Sequence, residues 1–182
     1  MLRHAEFARD VDEATMRLAI WGLGVACAAG VVSMLVACAA YGPAGLPVGS
    51  SSARAIERLG TPSGRYENAD HSKRLEFARG PMGRHTYMLD FDADDRLVRA
   101  EQVLTERNFH DLQIGMAQGE VLRRVGRPSD VSFLSRQRHQ LWSYRYETPF
   151  CIWFQISIDT AGRVAELGHN TDPLCDARDD RQ

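Results

Sequence analysis

Two stretches of the chain space their apolar and polar residues in the same rhythm. In Leu112–Ser129, Gly115 opens the pattern and Val121, Leu122 and Val125 form a stripe at helical spacing. Gly126 stands where a left-handed residue closes a helix, and Pro128 forbids its continuation. Leu46–Ser63 carries the same pattern 66 residues earlier, with Leu46 answering Leu112, Gly49 Gly115, Ile56 Leu122, Leu59 Val125, Gly60 Gly126 and Pro62 Pro128. Downstream the echo continues at an offset of 67. Leu75 and Phe77 answer Trp142 and Tyr144, Tyr87 answers Phe154, Phe91-Asp92 answers Ile158-Asp159, and Arg96-Leu97 answers Arg163-Val164. A helix motif followed by three apolar segments in the same order marks an internal duplication.

The first copy predicts a helix ending at Leu59 and capped by Ser50 or Ser51, then strand-like runs at Arg65–Glu67, Arg74–Ala78, His85–Phe91 and Arg96–Val103. In His85–Phe91 the residues His85, Tyr87, Leu89 and Phe91 share one face and Arg84, Thr86, Met88 and Asp90 the other. That alternation predicts a half-buried antiparallel strand. Thr105–Asp111 reads as a short helix with Thr105 as N-cap and Phe109 as anchor. Helix Ala117–Val125, a polar loop from Asp130 to Gln140, strands Leu141–Glu147 and Cys151–Ile158, and a short strand Arg163–Leu167 complete the second copy. The fold class expected is α+β, with two tandem units of short helices packed on antiparallel three- to four-stranded sheets.

Before the first copy, Leu18–Ala37 is twenty residues without a charge and ends Leu35-Val36-Ala37-Cys38. A run of this length can span a bilayer as a helix. The ending instead resembles the lipobox of bacterial lipoprotein signal peptides, in which an apolar segment meets a small-residue cleavage site followed by cysteine. On that reading Cys38 becomes the acylated N-terminus of the mature protein, carrying a diacylglycerol and a palmitate-type acyl chain. Cys27 fits less well, because Gly24 at its −3 position is neither bulky nor apolar. Ahead of the apolar run, Arg3, Arg9 and Arg17 face Glu6, Asp10, Asp12 and Glu13, so Met16 is a better start for a positive leader than Met1. Ala39 after the cysteine favours the periplasmic face of the outer membrane by resemblance to known sorting rules.

The organisation expected is a signal peptide over 1–37, a small-residue tether over 38–45, repeats over 46–103 and 104–175, and a charged tail over 176–182. A net charge of −2 points to no nucleic-acid partner. Catalytic signatures are missing: the sequence has no G-x-S-x-G, H-E-x-x-H, phosphate-binding glycine loop or C-x-x-C. His71, His85, His110, His139 and His169 are scattered. Asp90, Asp92, Asp94 and Asp95 lack the Gly and distal Glu of a calcium loop, and a solvated hairpin turn accounts for them. Neither an enzyme nor a cofactor or metal is expected. Cys151 and Cys175 would pair in an oxidising periplasm.

Aromatic residues crowd the second copy: Phe133, Trp142, Tyr144, Tyr146, Phe150, Trp153 and Phe154. Most are expected in the core. Trp153 lies on the strand face opposite Phe154. Either the other repeat covers that face, or Trp153 belongs to a partner surface with Arg136, Arg138 and His139 beside it. Arg123, Arg124 and Arg127 extend the same basic edge, which could meet lipid phosphates or an acidic partner.

The second copy, G-M-A-Q-G-E-V-L-R-R-V-G-R-P-S followed by L-W-S-Y-R-Y and F-Q-I-S-I-D-T-A-G-R-V, resembles the SmpA/OmlA (BamE-like) family of small outer-membrane lipoproteins. Gly115, Met116, Val121, Gly126, Pro128, Trp142, Tyr144, Phe154, Asp159, Gly162 and Val164 sit at the family's positions. The resemblance covers Thr105–Leu167 well and Leu46–Val103 more loosely, with Ser50 in place of Met116 and Asp95 in place of Gly162. It implies two short helices on a three-stranded antiparallel sheet. It also implies an accessory role in outer-membrane protein assembly or envelope integrity, through a protein partner such as the β-barrel assembly machinery. Family members carry one unit and this chain two. Tandem units of this shape are similar to β-lactamase-inhibitory proteins, which implies as an alternative a periplasmic module that binds and inhibits one protein.

Overall fold

Ser51 starts the first helix: its hydroxyl accepts the amide N–H of Arg54 at 3.3 Å, which supplies the cap for α1, Ser52–Leu59. Ala55 and Leu59 of α1 are buried, and they pack with Leu46 on one face of a sheet. That sheet holds β1 (Gly64–Glu67), β2 (Lys73–Ala78), β3 (Thr86–Phe91) and β4 (Leu97–Gln102) in the order β1-β2-β3-β4, all antiparallel. Leu75, Phe77, Leu89, Phe91 and Leu97 meet the helix. The computed structural model describes residues 42–175. The proposed signal peptide, Cys38 and the tail over 176–182 lie outside the described residues.

The second unit repeats the plan with one addition. Thr105 caps α2, Glu106–His110, as expected, and Phe109 is its buried anchor. Next come α3, Gln118–Val125, and a second antiparallel sheet ordered β5-β6-β7-β8: Asp130–Leu134, His139–Tyr144, Ile152–Ile158 and Val164–Thr171. Phe109, Val121 and Val125 pack on Trp142, Tyr144, Tyr146, Phe154, Ile156 and Ile158. Phe109 stacks on Phe154, with ring centroids 4.3 Å apart. The architecture is α+β, with two four-stranded antiparallel sheets and a few short helices.

The duplication reaches individual hydrogen bonds. Gly49 N–H donates to Leu97 O at 2.7 Å, and Gly115 N–H donates to Val164 O at 2.7 Å. Asp92 Oδ1 accepts the amides of Asp94 and Arg96, as Asp159 Oδ1 accepts those of Ala161 and Arg163. The same turn places Asp95 at φ 61 and Gly162 at φ 71, so the aspartate adopts the left-handed backbone that glycine adopts in the other copy. Each sheet also shifts register at equivalent places, between Asp90 and Phe91 and between Ser157 and Ile158. Asp90, Asp92 and Asp95 are thus paired or turn-forming groups: Arg74 grips Asp90 at 2.5 and 2.8 Å.

Three expectations need correction. Asp130–Gln140 is not a loop. It contains β5, a turn and the start of β6, because the duplication places Gly64–Glu67 over Asp130–Phe133 and Val131 and Phe133 keep a two-residue period. Gly60 and Gly126 do not end their helices in the left-handed helical conformation. Their φ values of 86 and 80 come with ψ of −167, an extended backbone reserved for glycine, which throws the chain straight into the next strand. Finally, β3 is buried on both faces: Thr86 and Met88 are as covered as Leu89 and Phe91.

The cover on that second face is the other repeat. Glu76 is fully buried there. Its Oε1 accepts the amide N–H of Arg127 at 3.0 Å and the hydroxyl of Ser63 at 2.9 Å, and its Oε2 accepts the hydroxyl of Tyr66 at 2.7 Å. Arg74 donates to the carbonyl of Arg123 at 2.7 Å. Arg123 reaches back to Asn68 and the Glu67 carbonyl and lies over the Tyr66 ring, 5.6 Å from its centroid. Burial, and then the Glu76 carboxyl beside it, push the Tyr66 phenol above its ordinary value. Tyr144 donates to the Gly126 carbonyl at 3.1 Å, so the core of the second sheet reaches this junction too. Residues 42–175 therefore fall in one compact unit.

Equivalent glycines isolate the contribution of the junction. A Cβ on Gly60 meets nothing within 4 Å, whereas one on Gly126 lies 3.0 Å from the Thr86 side chain and 3.1 Å from Glu76. Both substitutions carry the backbone penalty, about 1–3 kcal/mol. Only Gly126→Ala also crowds the Thr86 and Glu76 side chains of the first repeat, and crowding of this kind adds roughly 1–3 kcal/mol. Urea unfolding should show Gly126→Ala losing clearly more stability than Gly60→Ala. Equal losses would show that the junction tolerates the methyl group.

Candidate partner surface

β5 forms an edge of the second sheet, and along it Val131 is 55% and Phe133 61% exposed. They pair with Trp142 and Gln140 of β6, on the face that carries the core, and extend that apolar face beyond the cover of α3. The outer edge of β5 has no strand partner among the described residues. Unpaired backbone donors and acceptors beside two large apolar side chains make a template for an added strand. Phe133 is one of the seven crowded aromatics, most of which were expected in the core. The composition of the crowd hid the fact that Phe133 stands on an edge.

Arg136 and Arg138 lie in the exposed turn between β5 and β6, next to this edge, with Arg138 at φ 60. His139 begins β6 and its Nδ1 is 2.9 Å from the Ser157 hydroxyl. These three residues neighbour one another. Arg123 and Arg127 are at the junction between repeats, and Arg124 pairs with Glu120 at 2.8 Å, so the basic edge is divided.

Trp153 is not part of the surface. It is 8% exposed, and the Arg145 guanidinium covers its ring at 5.0 Å. Arg145 in turn is held by both oxygens of Asp172, at 2.7 and 3.0 Å, and donates to the carbonyl of Pro81 in the first repeat at 2.6 Å. The cover on Trp153 thus comes from Arg145 of its own repeat, which the first repeat reaches through Pro81. The structure pairs Cys151 with Cys175 at a Cα–Cα distance of 6.2 Å, which is within the range a disulfide needs. The amide of Asp172 bonds the Cys151 carbonyl at 3.1 Å, so bridge and ion pair close the same corner. Near it the Tyr146 phenol, pushed up to about 12 by burial and by its hydrogen bond to Glu106, caps the aromatic stack on Phe109.

No family model matches the chain. No curated protein matches it either. Among solved structures, one similar chain is a DUF4309 family protein from Bacillus subtilis, 12% identical. The match covers 68% of this chain and 79% of that one, with a TM-score of 0.27. A candidate β-lactamase inhibitor protein from Streptococcus mutans is also 12% identical, with 66% and 82% covered and a TM-score of 0.30. A cysteine-rich secretory protein from Staphylococcus aureus is 14% identical, with 70% and 45% covered and a TM-score of 0.27. Superpositions this loose say nothing about what the chain binds.

The corner around Trp153 has a pH signature. Burial works against the charge on Asp172, but the hydrogen bonds from Arg145 and the Leu174 amide, with the charge of Arg145, outweigh it and hold the carboxyl below its ordinary value. A depressed carboxyl stabilises the fold fully above the unfolded-state value of about 3.9 and loses that effect as pH falls through the lower folded value. Asp172→Asn should cost on the order of 2 kcal/mol at neutral pH. Thermal melts should then show wild type and variant converging as pH drops below about 4. A gap that persists undiminished at low pH would assign the loss to packing rather than to the ion pair.

Proposed function

We propose that the chain is a protein-binding module of the cell envelope, anchored through a lipid on Cys38, with no catalytic role. The observation that carries the reading is the free β5 edge with Val131 and Phe133 open to solvent. An extended segment of a partner protein would add to β5 through main-chain hydrogen bonds. Its apolar side chains would meet Val131 and Phe133, and Arg136 and Arg138 in the adjoining turn would favour an acidic residue. The anchor is proposed from Leu35-Val36-Ala37-Cys38, and the outer-membrane location from Ala39. The resemblance of Thr105–Leu167 to the SmpA/OmlA family points to a partner in the β-barrel assembly machinery. The second reading, an inhibitor of one periplasmic enzyme, is favoured by the tandem arrangement, which places the edge on a rigid two-repeat body.

Co-purification of the mature lipoprotein in mild detergent separates the two. Recovery of barrel-assembly components supports the first reading, and recovery of a single soluble enzyme supports the second. In either case Phe133→Ser should lower recovery of that partner by roughly tenfold or more, the effect of truncating one central anchor. Circular dichroism should remain unchanged, since Phe133 is not in the core. Undiminished recovery would remove β5 from the interface.

A further inference from the structure

Three exposed apolar side chains gather at one end of the body. Met82, 63% exposed, is in the hairpin loop between β2 and β3. Phe150, 70% exposed, is in the equivalent loop between β6 and β7, and Leu174, 38% exposed, follows β8. Arg145 ties these segments together. It bonds Pro81 next to Met82, and it pairs with Asp172, whose Oδ1 accepts the Leu174 amide at 3.1 Å. The bridge from Cys151, next to Phe150, to Cys175 completes the ring. None of the three belongs to either core cluster.

The chain enters the body at this same end. A Cβ on Gly42 would lie 3.2 Å from the Tyr87 hydroxyl. The Tyr87 ring stacks near His85, and the His85 imidazole is 4.0 Å from Glu147, beside the loop that bears Phe150. Cys38 is four residues before Gly42, and four residues span at most about 14 Å even when fully extended. A lipid on Cys38 therefore holds this end, and not the opposite one, against the bilayer. In the second sheet, Arg136 and Arg138 turn at the end opposite the Phe150 loop, with the Asp159 turn.

We infer that Met82, Phe150 and Leu174 form a rim that rests in the headgroup region of the membrane, with the exposed Arg84 beside them facing lipid phosphates. The inference rests on the lipid anchor proposed above. The acyl chains supply attachment, and the rim supplies orientation, holding the two-repeat body upright with its Arg136 and Arg138 turn directed away from the membrane. Exposed apolar side chains in the headgroup region lose contact with water without losing any internal packing.

The test uses the mature, full-length protein in phosphatidylcholine vesicles whose acyl chains carry bromine. Tryptophan is placed at the rim as Phe150→Trp or at the far end as Ile114→Trp, where Ile114 is 71% exposed. Wild-type emission gives the background from buried Trp142 and Trp153. An interfacial side chain lies about 5–10 Å deep, so Phe150→Trp should lose at least about half of its added emission while Ile114→Trp keeps its own. Mass spectrometry of the same preparation reads the anchor. A lipid on Cys38 with unquenched emission from Phe150→Trp, or equal quenching at both sites, overturns the rim alone. A mature protein without lipid overturns the anchor and the rim together.

Discussion

The buried carboxyl group of Glu76 is the constraint on which the two-repeat body depends. A fully buried carboxyl without partners is prohibitively unfavourable, so its acceptors must all be satisfied from inside the protein. Ser63 and Tyr66 lie in or beside β1, and the first repeat can supply both. The third donor is the Arg127 amide, which arrives only when the second repeat docks. The same docking buries Thr86 and Met88 and brings Gly126 against Thr86 and Glu76. Two units of about 60 residues each bury too little surface to be comfortably stable alone. Packing the end of α3 on the first sheet converts them into one body with a shared interior.

Divergence after duplication is concentrated where this docking occurs. At the positions of Glu76 and Asp90, the second sheet has Ser143 and Ser157, and opposite Arg74 it has Leu141. The serines bond within their own sheet, Ser143 to Gln155 and Ser157 to His139. Both serines are buried, and hydrogen bonds inside their own sheet satisfy them without a second repeat. Turn geometry, by contrast, has been kept bond for bond in the Asp92 and Asp159 turns.

Much of this was legible in the residues. Glycine, proline and cap residues marked α1 and α3, Thr105 and Phe109 marked α2, and two-residue alternation marked β3 and β7 within one residue and β6, expected over Leu141–Glu147, within three. The duplication itself gave the order of elements. What stayed hidden depended on long-range packing. β5 reads as polar loop because its own alternation is short and its apolar residues are not buried. The second face of β3 reads as solvent-facing because nothing local announces that another repeat will cover it. Trp153 was open between two readings for the same reason: Arg145, which lies over its ring, is held by Asp172 and Pro81 from two other segments. Phe133 and Phe150 show the converse, since aromatic character alone does not distinguish an edge or a loop tip from a core.

If Glu76 and its partners do join the repeats into one cooperative unit, neither repeat should persist without the other. Thermal unfolding of the isolated fragment Leu104–Gln182, compared with the mature protein, measures this directly. The account predicts a fragment that is unfolded or aggregates, with no sigmoidal transition near the midpoint of the whole. A cooperative transition in the fragment at a midpoint close to that of the mature protein would contradict it and leave two autonomous domains on one chain.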